Sequence, residues 1–293
     1  MKLFLGISLT LISFIHWYLQ LNAFTLLIAH AIFVVGNILI LDFISLKLNN
    51  YSLIAYFFDR KNFIGAFAKL SIAGVIFAFF LEFYLHYMGK FWYFPYWNYW
   101  WYFLLLIPGW AGYVFYFVEI YLGTRAVLSR FVKPSSKINI SQFMKFMLYL
   151  CSITAVLSTL WLLMNINFLT LKEFLSINFT KPIDVALILP LFLASISLSF
   201  IFDYLVYKRK NISFFFSFFQ GRPISLISIL LGGWIVGFVW EIFNQKALFW
   251  HYSNVPFSEL TFLEIPVMVI IFWPIQFFPI LSLYYLFFDA KEA

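Results

Sequence analysis

Apolar residues in this chain recur in long runs, at 3–21, 23–46, 68–88, 99–123, 143–164, 184–207, 224–245 and 260–288. An apolar run of about twenty residues, rising 1.5 Å per residue, crosses a bilayer core of about 30 Å as an α-helix. The pattern therefore predicts an all-α, polytopic membrane protein with about eight transmembrane helices and no long soluble domain. The first run follows Lys2 and precedes no small-x-small cleavage site, so it reads as the first arm of a helical hairpin rather than a signal peptide.

Polar positions interrupt these runs in a repeated order. Gly233, Gly237, Glu241 and Gln245 stand four residues apart, and so do Gly74, Ala78, Glu82 and His86. Steps of four keep side chains near one helix face, so each series carries two small residues, a carboxylate and a second polar group on one stripe. The small residues allow close approach of another helix, which predicts that the two stripes pack on each other about a pseudo-two-fold axis. Trp92 follows Glu82 by ten residues and Trp250 follows Glu241 by nine; from Trp92 to Pro108 and from Trp250 to Pro266 is sixteen in both cases. Upstream, Asp42 precedes Glu82 by forty residues and Asp203 precedes Glu241 by thirty-eight, with Arg60 and Arg222 between. Shared spacings in a shared order indicate an internal duplication. The expected division is a four-helix repeat over 1–137 and a second over 138–293. Four spans per repeat make the two copies parallel. The largest departure is an extra segment of roughly seventeen residues between the fifth and sixth spans, with Lys172, Glu173 and Lys181.

Composition agrees, with 64% hydrophobic and 11% charged residues. The net charge of +7 is informative by its distribution. On an eight-span topology, fifteen of the nineteen Lys and Arg fall on one side, leaving Lys90, Lys172, Lys181 and Lys246 on the other. The positive-inside rule then puts both termini in the cytoplasm, with a bacterial inner membrane as the expected location. The basic side is expected to meet anionic lipid, not nucleic acid. The single cysteine, Cys151, forms no internal disulfide and reads as a buried apolar residue.

The chemistry on offer centres on Glu82 and Glu241. A carboxylate inside a bilayer must face the bundle, find partners or take up a proton, and a buried carboxyl held as an acid is a proton donor. The structural alternative is that both only hydrogen-bond His86, Asn244 or Gln245 and fix helix packing. His86, Trp92, Trp250, Tyr252, Asn244 and Gln245, with the aromatic outer loop at 90–102, are the expected lining of a lipophilic site. Segments 51–64 and 211–222 mix aromatic and basic residues, so Asp42, Arg60, Asp203 and Arg222 are expected around a lipid headgroup, with plain interfacial anchoring as the alternative. Pro266, Pro274 and Pro279 predict a kinked last span. Four histidines scattered over several spans offer no ligand set for a metal, and no P-loop, dinucleotide fingerprint or nucleophile elbow is present, so no cofactor is expected.

An acid late in one span, a Trp-containing loop and a following proline, all present twice, resemble the membrane lycopene cyclase domain of fungal, archaeal and heterodimeric bacterial cyclases. The matching residues are Glu82, Trp92 and Pro108, then Glu241, Trp250, Tyr252 and Pro266. The resemblance implies a duplicated helical membrane fold acting on a long isoprenoid of carotenoid type, with a buried acid protonating a double bond and aromatic faces sheltering the cation. Where that family places paired carboxylates after the prolines, this chain has Gly109-Trp110 and Val267-Met268. The leading expectation is a membrane protein that binds or modifies a lipophilic, isoprenoid substrate between its repeats, using Glu82 and Glu241 as acids. The alternatives are a transporter or flippase, and a membrane assembly subunit with a protein partner.

Overall fold

A computed structural model describes residues 1–19, 23–58, 63–93, 99–166, 185–247 and 249–288. The described residues are mostly helical. The helices are α1 (Lys2–Leu19), α2 (Ala23–Asn49), α3 (Leu53–Phe58), α4 (Phe63–Leu81), α5 (Tyr99–Leu128), α6 (Ser141–Asn165), α7 (Ile188–Lys210), α8 (Pro223–Ala247), α9 (Val267–Ile275) and α10 (Phe277–Phe287). Among the described residues, seven helical stretches are long and apolar enough to cross a membrane. They are Lys2–Leu19, Ile28–Asn49, Phe63–Met88, Ser141–Asn165, Ile188–Lys210, Pro223–Gln245 and Val267–Phe287. The expected span at 99–123 falls within the single 30-residue helix α5. Phe4, Phe79, Phe146, Tyr149, Met164 and Ile235 stand exposed on the outside. An apolar exterior of this kind is the solvent face of a helical integral membrane protein.

Helices α1 and α2 form a hairpin, as do α6 and α7. Gly6 and Gly36 bring the first hairpin together: a Cβ on Gly6 would lie 2.8 Å from the Gly36 carbonyl oxygen, and one on Gly36 would lie 2.9 Å from that of Gly6. Between the hairpins, α4 packs on α5 and α8 on α9. The two halves then interlock, because α5 also packs on α8 and α10 also packs on α4. Their shared interior is aromatic. Tyr113 and Phe117 stack at 4.2 Å, and Trp240, Trp273 and Phe277 surround them.

The small-residue stripes do not meet each other. A Cβ on Gly74 would sit 2.8 Å from the backbone of Trp110 and Ala111, one on Gly233 would sit 2.5 Å from Pro274 Cα, and one on Gly237 would sit 2.3 Å from Trp273 Cγ. Each stripe is filled by the helix that follows it in the chain. The close approach of α5 to Gly74 and of α9 to Gly233 and Gly237 leaves neither stripe free to receive the other.

The last span breaks as its prolines predict. Pro274 and Pro279 lack the N–H that would close the helix ladder, and α9 gives way to α10 at Gln276. After α4 the backbone widens into a π-helix over Glu82–Met88. Two outer strands follow, β1 (Trp92–Tyr93) and β2 (His251–Tyr252), paired antiparallel with Trp92 opposite Tyr252 and Tyr93 opposite His251. A second small hairpin joins β3 (Thr261–Phe262) to β4 (Ile265–Pro266).

Candidate functional site

Glu241 lies one turn after Gly237 on α8 and is 3% exposed. Its Oε1 accepts hydrogen bonds from Tyr252 Oη at 2.6 Å and Trp273 Nε1 at 2.9 Å. Trp250 Nε1 donates in turn to Tyr252 Oη at 2.9 Å. Asn244 fixes the turn that carries Trp250: its Nδ2 donates to the Trp250 carbonyl at 2.9 Å and its Oδ1 accepts from the Trp250 N–H at 3.0 Å. Gly237 makes the arrangement sterically allowed, since only a residue without Cβ leaves room for the Trp273 ring on its way to Glu241. Glu241 is therefore held directly by Tyr252 and Trp273, with Trp250 behind Tyr252, an aromatic trio from two segments. Gln245, expected beside the carboxylate, is exposed and donates to the Leu263 carbonyl.

Glu82 opens the π-helix and bonds His86 Nδ1 one turn on, as the spacing of four suggested. The His86 ring stacks on Trp92 at 5.6 Å. Tyr93 stacks on His251 at 5.1 Å across the strand pair. Strand β1 thus carries the surroundings of Glu82 to the edge of β2, which carries those of Glu241. Lys90 and Phe91 extend the link, since the Lys90 carbonyl accepts from Ser253 Oγ and Asn254 Nδ2 and the Phe91 carbonyl accepts from the Ser253 N–H. Between the two acids stands Tyr113 of α5, whose hydroxyl donates to Gln276 Oε1 at 2.7 Å.

Beside Glu241 a groove opens toward the lipid-facing surface between α8 and α9. Trp234, Gly237, Phe238, Ile265, Ile270 and Trp273 line it, and it is a shallow surface groove rather than an enclosed cavity. Tyr252 lies above the spans. Burial, with the neighbouring Glu241 second, holds its phenol well above the ordinary value of 10.

Asp42 and Asp203 have a different task from headgroup binding, for both are fully buried. Asp42 accepts from Ser52 Oγ at 2.7 Å and the Ile54 N–H at 3.0 Å, and it pairs with Lys2 at 2.8 Å. Asp203 accepts from Ser213 Oγ at 2.5 Å and the Phe214 N–H at 2.7 Å. Each clamps the turn that follows its helix, after an Asn in the left-handed region, Asn50 or Asn211, has ended that helix. The motif D-x7-N-x-S, at Asp42–Ser52 and Asp203–Ser213, was the unread signal. Arg222 is half-buried, and its Nη2 lies 3.3 Å from Ser225 Oγ. Burial pushes its guanidinium below the ordinary value, and Arg125 adds to this. Arg60, residues 94–98 of the aromatic loop and the segment with Lys172, Glu173 and Lys181 lie outside the described residues.

Sequence reasoning also passed over Glu119, a fully buried acid on α5. It was legible as the one acidic residue in the run 99–123. Among the described residues, no group of three or more His, Cys, Asp or Glu is placed to hold a metal ion. Comparison with known protein families, curated proteins and solved structures finds no match.

Proposed function

We propose that this is an inner-membrane protein of eight spans, built from two parallel four-helix repeats with both termini cytoplasmic. It takes the end of a lipophilic, isoprenoid-class molecule into the groove between α8 and α9 and presents Glu241 to it as an acid. The observation that carries this is the position of Glu241 beside a lipid-facing groove walled by Trp234, Phe238 and Trp273. With Oε1 held by two donors, a proton on the carboxyl sits on Oε2. A cation formed by protonating a double bond would meet aromatic faces there, an interaction worth about 2 kcal/mol or more away from water. The chain of such a molecule lies along the exposed apolar side chains Trp234, Ile235 and Ile271 beside the groove. Glu82, with His86 and Trp92, is the corresponding acid of the first repeat.

Several paired features support the repeats. Both clamps join an Asp to a Ser ten residues on. Gly74 and Gly233 each receive the next helix, and strands β1 and β2 pair in a self-consistent two-fold register.

A second reading is transport, favoured by the broken last span. Gln276 sits at the break between α9 and α10 and is held from the other half by Tyr113, a place where one half can move against the other. Glu241→Gln separates the two. An enzyme keeps its bound lipophile and loses product formation in isoprenoid-containing membranes. Unchanged product formation in Glu241→Gln removes the acid role, and proton-driven substrate movement in liposomes without any product establishes transport instead.

A further inference from the structure

The two Asp clamps differ in one partner. In the second half, Ser282 of α10 donates its hydroxyl to Asp203 Oδ1 at 3.3 Å. The corresponding position in the first half is Glu119 of α5. Trp110 and Ala111 pack on Gly74 as Pro274 packs on Gly233 and Trp273 on Gly237, and nine residues separate Trp110 from Glu119 and Trp273 from Ser282. Where one half places a hydroxyl donor against its buried aspartate, the other places a carboxyl.

Glu119 is 0% exposed and faces Asp42, itself 0% exposed. Neither oxygen of Glu119 has a hydrogen-bond donor among the described residues. Lys2 reaches the cluster from α1, but its Nζ is directed to Asp42 Oδ2 at 2.8 Å and to Ser52 Oγ at 3.5 Å. Tyr284 of α10 is also 0% exposed and close to Glu119, with no partner for its hydroxyl, and Tyr51 and Tyr56 stand beside it. Ser45, one turn after Asp42 on α2, is likewise buried with no partner for its hydroxyl. The formal charge of this enclosed cluster is one lysine against two carboxyls. Two carboxylates facing each other out of water repel strongly, and the usual resolution is a single shared proton.

We propose that Glu119 and Asp42 form a proton-binding site near the basic side of the membrane, separate from the Glu241 groove. In it, Glu119 donates its carboxyl proton to Asp42 as Ser282 donates its hydroxyl to Asp203. The difference is that a carboxyl can release its proton and a serine cannot. When it leaves, two facing carboxylates remain where a hydrogen bond was, and the clamp on the turn at 50–58 loosens. The way out runs past Lys2, whose side chain is 37% exposed. The first half thus contains a proton-sensitive joint between α2, α3 and α5, and the second half a permanent one. The site stands whether or not Glu241 acts on a substrate.

Infrared spectroscopy of the full chain in lipid nanodiscs tests this through its protonated-carboxyl bands. The expected result at neutral pH is loss of one band in Glu119→Gln, which keeps an N–H donor for Asp42, with the rest of the carboxyl spectrum unchanged. Thermal unfolding is the second readout: the wild-type midpoint falls as the pH is raised toward 10, below the range in which Tyr252 contributes, and Glu119→Gln loses that part of the slope. Should Glu119→Gln fail to fold, Glu119→Ser copies the second half and serves instead, with Ser282→Ala as a variant that leaves the slope in place. An unchanged carboxyl band pattern would overturn the proposal by showing Glu119 ionised. So would a wild-type midpoint that rises on replacing choline with sodium at fixed pH and loses that rise in Glu119→Gln, because the bound cation would then be a metal ion.

Discussion

Gly237→Ala isolates the steric element on which Glu241 depends. The added Cβ would lie 2.3 Å from Trp273 Cγ and 2.7 Å from its Cβ, where carbon atoms normally rest about 3.6 Å apart. Relief requires a movement of ~1.3 Å, and the ring has no slack, because Phe117 stacks beside it and Trp240 meets it edge on. A shift of that size carries the Trp273 to Glu241 hydrogen bond from 2.9 Å beyond the 3.5 Å limit. Overpacking costs about 1–3 kcal/mol and the lost bond about 1–2, while the better helix propensity of Ala returns about 1. The net expected loss is ~1–4 kcal/mol. Gly112→Ala is the control, since a Cβ there meets nothing within 4 Å, and it should be neutral or slightly stabilising. Trp273→Phe removes the donor without the clash and should fall between them. Reversible unfolding in mixed detergent micelles measures all three. A Gly237→Ala protein as stable as Gly112→Ala would refute the steric reasoning.

Three further outcomes follow from the same contacts. Asp203→Ala strands the Ser213 hydroxyl and the Phe214 N–H in a buried site, and at about 1–3 kcal/mol per group should cost ~2–6 kcal/mol of unfolding free energy; a loss under ~1 would remove the clamp. Tyr113→Phe deletes the donor to Gln276 and should lower stability by ~1–2 kcal/mol in the same assay, with no change expected if Gln276 finds another partner. Tyr252 sets an alkaline limit. Its phenol keeps its proton in the folded state well above 10, whereas the unfolded chain releases it near 10, so stability is intact below pH 10 and falls as the pH rises beyond it. Tyr252→Phe should reduce that alkaline slope, read as the pH dependence of the unfolding midpoint.

The helices were legible because apolar runs of membrane length need no tertiary information, and the break at Gln276 because proline removes a ladder hydrogen bond wherever it stands. The bond from Glu82 to His86 was legible because its two ends share one helix face. What was not legible depended on contacts distant in sequence. Trp273 lies 32 residues beyond Glu241, and nothing local marks it as the donor. The register of β1 on β2 rests on two residues per strand, too few for an alternating pattern to show. Asp42 and Asp203 carried a local signal in the left-handed Asn and the Ser ten residues on, but proximity to basic residues pointed outward to lipid. Glu119 stood alone in its run and was eclipsed by Glu82 and Glu241, whose surroundings share a spacing.

The central claim is that the groove beside Glu241 holds a lipophile, and lipid mass spectrometry of the protein purified in mild detergent, with its absorbance spectrum, tests it most directly. Ile270→Trp, which fills the groove from α9, is the comparison. The account predicts a stoichiometric isoprenoid-class molecule on the wild-type protein that is absent from Ile270→Trp. Bulk phospholipid alone on both proteins, in the same proportions, would contradict it.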